Sequence, residues 1–212
     1  MKTKFVLMGV TCIVLLTLLI LVLHNNKAEE VSEIQHLVQA HVTPPAQQTT
    51  MNITSNAFGQ NQMIPSTYTC DAANSNPDLA WSGVPAGTAS LALIMDDPDV
   101  PKTIRPDGLW AHLVAYNISP DTTMLKQGAR FDGRYGKNSA GDLAYGGPCP
   151  PDKMHRYFFR IYALDTILDL PEGASKEEVV HAMKGHILSQ ASLIGLYERV
   201  SSNTQTASST PQ

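Results

Sequence analysis

Three short segments of the sequence carry residues that could do chemistry. The first is the acidic turn Asp96–Pro101, with the sequence DDPDVP, which directly follows an apolar run. The second is Trp110–His112, and the third is the Gly- and Pro-rich loop Tyr145–Pro151, which His155–Tyr157 follows closely. Carboxylates can receive a cationic group or keep a histidine protonated, while histidines, a tyrosine and freed backbone N–H groups can bind an anion. If the segments converge, they form a pocket for a small zwitterionic or phosphate-bearing group.

Each of these segments also has a plainer interpretation. The acidic turn can be a solvated bend, and a single histidine beside an apolar strand is more often a core or edge residue than a ligand. The loop can be only a tight bend, since glycine and proline are frequent in turns. Spacing does not decide whether the three segments meet, so both interpretations stay open at this point.

Known catalytic motifs are absent from the sequence. It contains no Gly-x-Ser-x-Gly, no His-Glu-x-x-His and no phosphate-binding loop, and His181 and His186 are five residues apart, which does not suit a two-histidine metal face on a helix. We therefore expect no metal, no cofactor and no catalysis. A small hydrolase or isomerase that uses Asp97, His112 and His155 as acid and base stays an alternative.

The segments that must position these residues are mostly strand-like. Runs of apolar and β-branched residues broken by Pro, Gly, Asn and Asp predict strands at Met51–Phe58, Ser90–Met95, His112–Ile118, Tyr157–Ala163 and Ala191–Val200. The capping box Ser175–Glu178, followed by apolar residues at helical spacing, indicates one late helix. This pattern predicts a single mainly-β domain.

The N-terminal segment differs in composition from the rest of the chain. Phe5–Leu23 holds 19 residues, of which 16 are apolar and none is charged. As a helix it would be roughly 28 Å long, close to the ~30 Å hydrocarbon core of a membrane. We expect residues 1–27 to be an uncleaved transmembrane signal anchor that places the domain outside the cytoplasm, in the periplasm of a Gram-negative cell. The alternative is a cleaved signal peptide and a secreted or periplasmic protein.

The rest of the chain is expected to contain a linker with a short helix (28–50), a folded domain (51–200) and a disordered polar tail (201–212). Three lysines flank the apolar segment, so the remainder carries 12 basic against 19 acidic residues, a net charge of −7. This balance, without a basic patch, makes nucleic acid an unexpected partner. Cys70 and Cys149 are compatible either with a disulfide or with two buried thiols.

Seven motifs in order carry a resemblance: Tyr68–Asp71, Leu79–Pro85, Ser90–Asp99, Gly147–Pro151, His155–Tyr157, Tyr162–Asp165 and Leu193–Arg199. Together they resemble the phosphatidylethanolamine-binding protein family, in its bacterial and archaeal Raf kinase inhibitor-like branch. The resemblance runs from about residue 51 to residue 200. It implies an antiparallel β-sandwich with one or two short C-terminal helices and a small anion pocket at one end.

The resemblance also implies a set of ligand-binding residues: Asp97, Asp99, Pro101, Trp110, His112, Gly147, Pro148, Cys149, Pro150, His155 and Tyr157. Ala111 stands where some members have a second histidine. The ligand expected from the family is a small anion or a phosphoethanolamine-like group, and a protein partner whose activity is inhibited or modulated is a further expectation. A membrane-tethered protein that binds a partner and keeps only a vestigial pocket is the other alternative.

Overall fold

A computed structural model describes residues 50–199, together with Leu21 and Lys27. The described elements are β1 (Asn52–Thr54), β2 (Gln62–Met63), β3 (Leu79–Ser82), β4 (Ser90–Asp97), β5 (Trp110–Ile118), β6 (Met124–Leu125), β7 (Arg134–Tyr135), β8 (His155–Leu164), α1 (Lys176–Ala182) and β9 (Ile187–Tyr197). A 3₁₀ turn, Ser66–Tyr68, lies between β2 and β3. Mainly-β architecture with one late helix is thus confirmed, although the strand predicted at 51–58 is only the three residues of β1.

The expected anchor, linker and tail lie outside the described residues, apart from Leu21, Lys27 and Thr50. No helix in the part of the chain that the structure describes has the length and apolar character that a membrane span requires.

Two sheets pack face to face in this domain. The larger has the strand order β2-β9-β8-β4-β5-β7 and the smaller has the order β1-β3-β6. Their neighbours are antiparallel except for β2 and β9, which pair in parallel, so the sandwich is not entirely antiparallel. A hydrophobic core between the sheets joins, for example, Trp81 of β3 with Phe159 of β8.

Residues 91–95 of strand β4 are continuously apolar because both faces of the strand are buried. Leu91, Leu93 and Met95 belong to the core between the sheets, whereas Ala92 and Ile94 belong to a second core on the opposite face. Side chains alternate between the two faces of a strand, so a strand that is covered on both sides needs apolar residues at every position.

Helix α1 covers the second face of the larger sheet. The predicted capping box is present: the Ser175 hydroxyl accepts a hydrogen bond from the Glu178 N–H, and the Glu178 carboxylate accepts one from the Ser175 N–H. The helix buries Val179 in the second core, with Met183 directly after its last turn.

Candidate functional site

Strand alternation brings three of the predicted site residues to one face. Asp97 ends β4 on the same face as Met95, while His155 and Tyr157 begin β8 on the same face as Phe159. Because β4 and β8 are paired antiparallel neighbours, the end of one strand lies beside the start of the other. The three polar side chains therefore lie together at one end of the core between the sheets.

His112 reaches this place through a β-bulge. Met95 pairs with Leu113, but Asp96 pairs with Ala111, so His112 is the extra residue in β5. A bulge redirects the side chain of the extra residue, and bulges are frequent beside functional sites. His112 as a whole residue is only 5% exposed.

The ring of His112 is fixed by the loop residue Gly146. Its Nδ1 lies 2.7 Å from the Gly146 carbonyl oxygen, which can only accept, so Nδ1 carries the proton. Burial lowers the pKa of His112 below its ordinary value, against the opposing effects of this hydrogen bond and of the nearby Asp97. The ring is therefore neutral at neutral pH, and its Nε2 presents a lone pair.

Two buried polar atoms at this site have no hydrogen-bond partner among the described residues, Nε2 of His112 and the hydroxyl of Tyr157. Their rings meet edge to face, with centroids 5.3 Å apart. Burial, then the negative charge of Asp97, and then the approach of the hydroxyl to the Asp97 carboxylate raise the pKa of Tyr157, so this hydroxyl keeps its proton, although its contact with Asp97 falls short of hydrogen-bond geometry. A buried polar group without a partner costs about 1–3 kcal/mol, which makes such atoms uncommon in a folded protein.

His155 lies between two carboxylates. Its Nδ1 is 2.7 Å from Oδ2 of Asp97, and its Nε2 is 2.8 Å from Oδ1 of Asp152. Burial alone would lower the pKa of His155, but the hydrogen bonds to the two carboxylates outweigh it and raise the pKa. His155 is therefore an imidazolium that holds Asp97 in place.

The carboxylate of Asp99 pairs with Arg156 and not with a histidine. Its carboxylate accepts two hydrogen bonds from the Arg156 guanidinium, at 2.8 and 2.7 Å, and a third from the Arg156 backbone N–H at 3.0 Å. The hydrogen bond with the guanidinium lowers the pKa of Asp99. The Asp99 N–H in turn donates to Oδ1 of Asp97 over 2.8 Å, so Asp99 supports the turn that carries Asp97.

The Gly- and Pro-rich loop docks on the segment that follows the 3₁₀ turn. A disulfide joins Cys70 to Cys149, and the Cys70 N–H donates to the Pro148 carbonyl over 3.1 Å. The Gly147 N–H donates to Oδ1 of Asn74 over 2.7 Å. Gly147 is required by close packing, since a Cβ there would lie 2.5 Å from the Tyr68 carbonyl oxygen.

These segments enclose a cavity of about 380 Å³. Five predicted ligand residues line it: Asp97, Trp110, His112, Gly147 and Cys149. The other predicted residues, Asp99, Pro101, Pro148, Pro150, His155 and Tyr157, are not among the lining residues. Tyr157 packs against the His112 ring, and the Pro101 carbonyl accepts a hydrogen bond from Ile104, which lines the cavity.

Several residues of this site were not predicted from the sequence. Asn138 is buried and organises the neighbouring loop: its Oδ1 accepts from the N–H groups of Ala140 and Asp142, at 3.0 and 2.9 Å. Nothing in its sequence context indicates this role. Asp152 is three residues before His155, and that short separation could have indicated a partner for the ring.

Residues 54–198 match the family model described as phosphatidylethanolamine-binding protein. The chain is similar to a UPF0098 protein from Methanothermobacter thermautotrophicus, with 52% identity over 155 residues, which cover 70% of this chain and 99% of the relative. A UPF0098 protein from Chlamydia muridarum is 47% identical over 149 residues, with coverages of 70% and 99%.

Two solved structures are also similar. One is a phosphatidylethanolamine-binding protein homologue from Chlamydia trachomatis, with a TM-score of 0.70 and 45% identity over 72% of this chain and 99% of that chain. The other is YbcL from Escherichia coli, described as a member of the mammalian family of that name, with a TM-score of 0.65 and 30% identity over 71% and 99% of the two chains.

Proposed function

The chain belongs to the phosphatidylethanolamine-binding protein family, and from that premise we propose that it binds a small oxyanion without catalysing a reaction. The anion is the phosphate of a phosphoethanolamine-like head group or a group of the same chemistry. Modulation of a partner enzyme through the rim of the pocket is a further part of the proposal.

The observation that carries this proposal is the buried Nε2 of His112, which has no hydrogen-bond partner among the described residues. A buried polar atom left unsatisfied costs free energy, and that cost is relieved when a ligand oxygen bonds to it. His112 also lines the cavity, so a ligand there can reach its ring.

The lining of the cavity favours binding over turnover. Among its described lining residues there is no serine or threonine, and the two cysteines are joined in the disulfide. Both ring nitrogens of His155 are occupied by carboxylates, which leaves that ring no free position for proton transfer to a substrate. These contacts weigh against the hydrolase or isomerase alternative.

The rim of the cavity suits a ligand with an apolar part next to its anionic group. Val100, Ile104, Trp110 and Pro151 line the same cavity as His112 and Asp97. Ile104 is 54% exposed and offers an apolar contact surface to such a ligand.

Calorimetric titration of the purified full chain with inorganic phosphate and with phosphoethanolamine tests the proposal. We expect both to bind, and we expect His112→Ala to weaken binding at least tenfold, by loss of a hydrogen bond to a charged group worth ~1.5–3 kcal/mol. His186→Ala is the matched control, because His186 is an exposed histidine beyond the opposite end of β8. No heat of binding for either ligand, or equal losses in both variants, would refute the proposal.

We also propose that residues 1–27 tether the domain on the outer side of a membrane. The support is the uncharged run Phe5–Leu23 and the disulfide between two exposed cysteines, a bond that persists in oxidising compartments. N-terminal sequencing tests whether the segment is retained, and protease accessibility of the domain in cells stripped of any outer membrane but with an intact cytoplasmic membrane tests its location. A domain protected from protease in such cells but not after lysis of the cytoplasmic membrane would contradict it.

A further inference from the structure

The tautomer of His112 has a consequence for any anion that enters the cavity. Nδ1 is committed to the Gly146 carbonyl at 2.7 Å, so a neutral ring offers only the lone pair of Nε2. Oxyanions are held by hydrogen-bond donors, and a lone pair repels an anionic oxygen. A fully deprotonated anion and a neutral His112 are therefore incompatible at this position.

We propose that the pocket takes its oxyanion together with one proton, which lies between Nε2 of His112 and the nearest ligand oxygen. The proton comes from solvent to His112, which then donates N–H to the anion, or it arrives on the ligand, whose O–H donates to Nε2. Either route gives a complex with one proton more than the free protein and the fully deprotonated anion. This inference deepens the proposed function and rests on it.

In the free protein, the groups around the His112 ring keep its Nε2 unprotonated. Burial lowers the pKa of His112, while Asp97 and Asp96, both from β4, oppose that shift without reversing it. From β8, the Tyr157 ring packs against the His112 ring, and its hydroxyl keeps its proton.

Two further charged groups surround the pocket. The imidazolium of His155 is neutralised by its two carboxylates, and Asp142 adds a carboxylate at the cavity lining. A bound anion next to Nε2 supplies the opposite charge that makes protonation of the ring favourable. Ligand binding and protonation of His112 therefore favour each other, as linked equilibria must.

The consequence for specificity is a preference for the protonation state of the ligand. A phosphate monoester with one remaining proton binds to the neutral ring of His112, whereas its dianion binds only when the ring is protonated. Sulfate has no proton to bring at any pH near neutrality, so it binds only to the protonated ring. Sulfate is for this reason the sharpest probe of the inference.

Sulfate titration of the full chain at several values of pH, in two buffers with different ionisation enthalpies, provides the test. We expect uptake of about one proton per sulfate bound near pH 8 and a dissociation constant that rises roughly tenfold per pH unit above the pKa of His112. The same dissociation constant at pH 6 and pH 8, without proton uptake, would overturn the inference even though sulfate binds.

Two variants of His112 distinguish the effect of its protonation on binding from the effect of its size and shape. In His112→Gln the amide N–H can donate toward the ligand at every pH, so we expect sulfate binding with no pH dependence. In His112→Asn the amide can still donate to Gly146 but offers nothing toward the ligand, so we expect binding to fall at least tenfold. An unchanged pH dependence in the Gln variant would contradict the inference.

A direct readout on the wild-type chain avoids any dependence on folding of the variants. The ¹⁵N resonance of Nε2 in His112 distinguishes a bare ring nitrogen from a protonated one. We expect a bare nitrogen in the free protein at pH 7 and a protonated one with saturating sulfate. Absence of binding by both sulfate and phosphate at every pH would instead refute the proposed function itself, and the inference with it.

Discussion

Asp97 and His155 are separated by 58 residues in the chain, yet Oδ2 of the carboxylate lies 2.7 Å from Nδ1 of the ring, with both side chains buried. They join the end of β4 to the start of β8 at the base of the site. A buried ion pair of this kind gives geometry more than stability, because desolvation offsets much of its attraction. Removal of one partner, however, leaves the other charge buried and incompletely paired.

Substitution of Asp97 by alanine should therefore destabilise the domain by about 3–5 kcal/mol, because the imidazolium of His155 keeps only Asp152 as partner. Urea unfolding followed by circular dichroism measures the change. Asp165→Ala is the matched control: Asp165 also contacts a histidine, His186, at 2.8 Å, but both side chains are nearly half exposed. We expect it to cost less than about 1 kcal/mol. Equal losses would show that burial of the first pair does not matter.

The raised pKa of His155 predicts a loss of stability on the alkaline side. A histidine whose pKa is higher in the folded state stabilises fully below its unfolded pKa, about 6.5, and this contribution disappears as the pH rises through the folded pKa. The free energy of unfolding should thus fall as the pH rises above about 6.5. His155→Gln should remove this slope, whereas His186→Gln should keep it. A wild-type curve that is flat or rising there would be inconsistent with the imidazolium.

The lowered pKa of His112 acts in the opposite direction. A histidine whose folded pKa lies below its unfolded value leaves stability intact above about pH 6.5 and reduces it as the pH falls. We expect saturating sulfate to relieve this acid-side loss, since the ligand stabilises the protonated ring. Thermal unfolding at pH 5.5 with and without sulfate measures the effect, and sodium chloride at equal ionic strength is the control. Identical shifts with the two salts would speak against it.

Gly147→Ala should disturb both the fold and the pocket. The added Cβ would meet the Tyr68 carbonyl oxygen at 2.5 Å and Oδ1 of Asn74 at 2.5 Å, so the loop has to move. Overpacking of this kind costs about 1–3 kcal/mol, and we expect weaker phosphate binding as well. Gly59→Ala is a suitable control, because its Cβ would lie 3.4 Å from Cγ of the flexible Gln62 side chain, an ordinary van der Waals contact. A Gly147 variant that matches the control in stability and binding would disprove the role of this close contact.

Loss of the Cys70–Cys149 disulfide should destabilise the domain by about 2–5 kcal/mol, because the bond closes a loop with a sequence separation of 79 residues. The double variant Cys70→Ser, Cys149→Ser tests this by urea unfolding. Addition of a reductant should lower the stability of the wild type and leave the double variant unchanged. If a reductant destabilises both to the same degree, another cause is responsible.

The apolar runs and the ordered motifs were sufficient to predict a mainly-β sandwich of this family. The run Ser90–Met95 could be assigned to a central strand because both of its faces require apolar residues. The two-residue strands β2, β6 and β7 could not be predicted, since tertiary packing and not local propensity produces them.

The site was predicted as a set of residues but not as a set of contacts. Asp99 was expected to bind the ligand with Asp97, yet its carboxylate pairs with Arg156. The bulge that redirects His112 depends on the register of β5 against β4, which strand-like residue types do not encode. Disulfide pairing of Cys70 and Cys149 was one of two alternatives, and the structure has the bond.

The central position of β4 and β8 in the larger sheet gives the site a rigid base with an adjustable rim. Amide protons of interior strands exchange with solvent only through large-scale opening, whereas loops exchange through small local fluctuations. Asp97 and His155 belong to these interior strands, so only a large-scale opening of the sheet moves them apart. Ile104 lies outside the sheet in an exposed turn, so a substitution there can change which ligand fits while the arrangement of Asp97 and His155 stays the same.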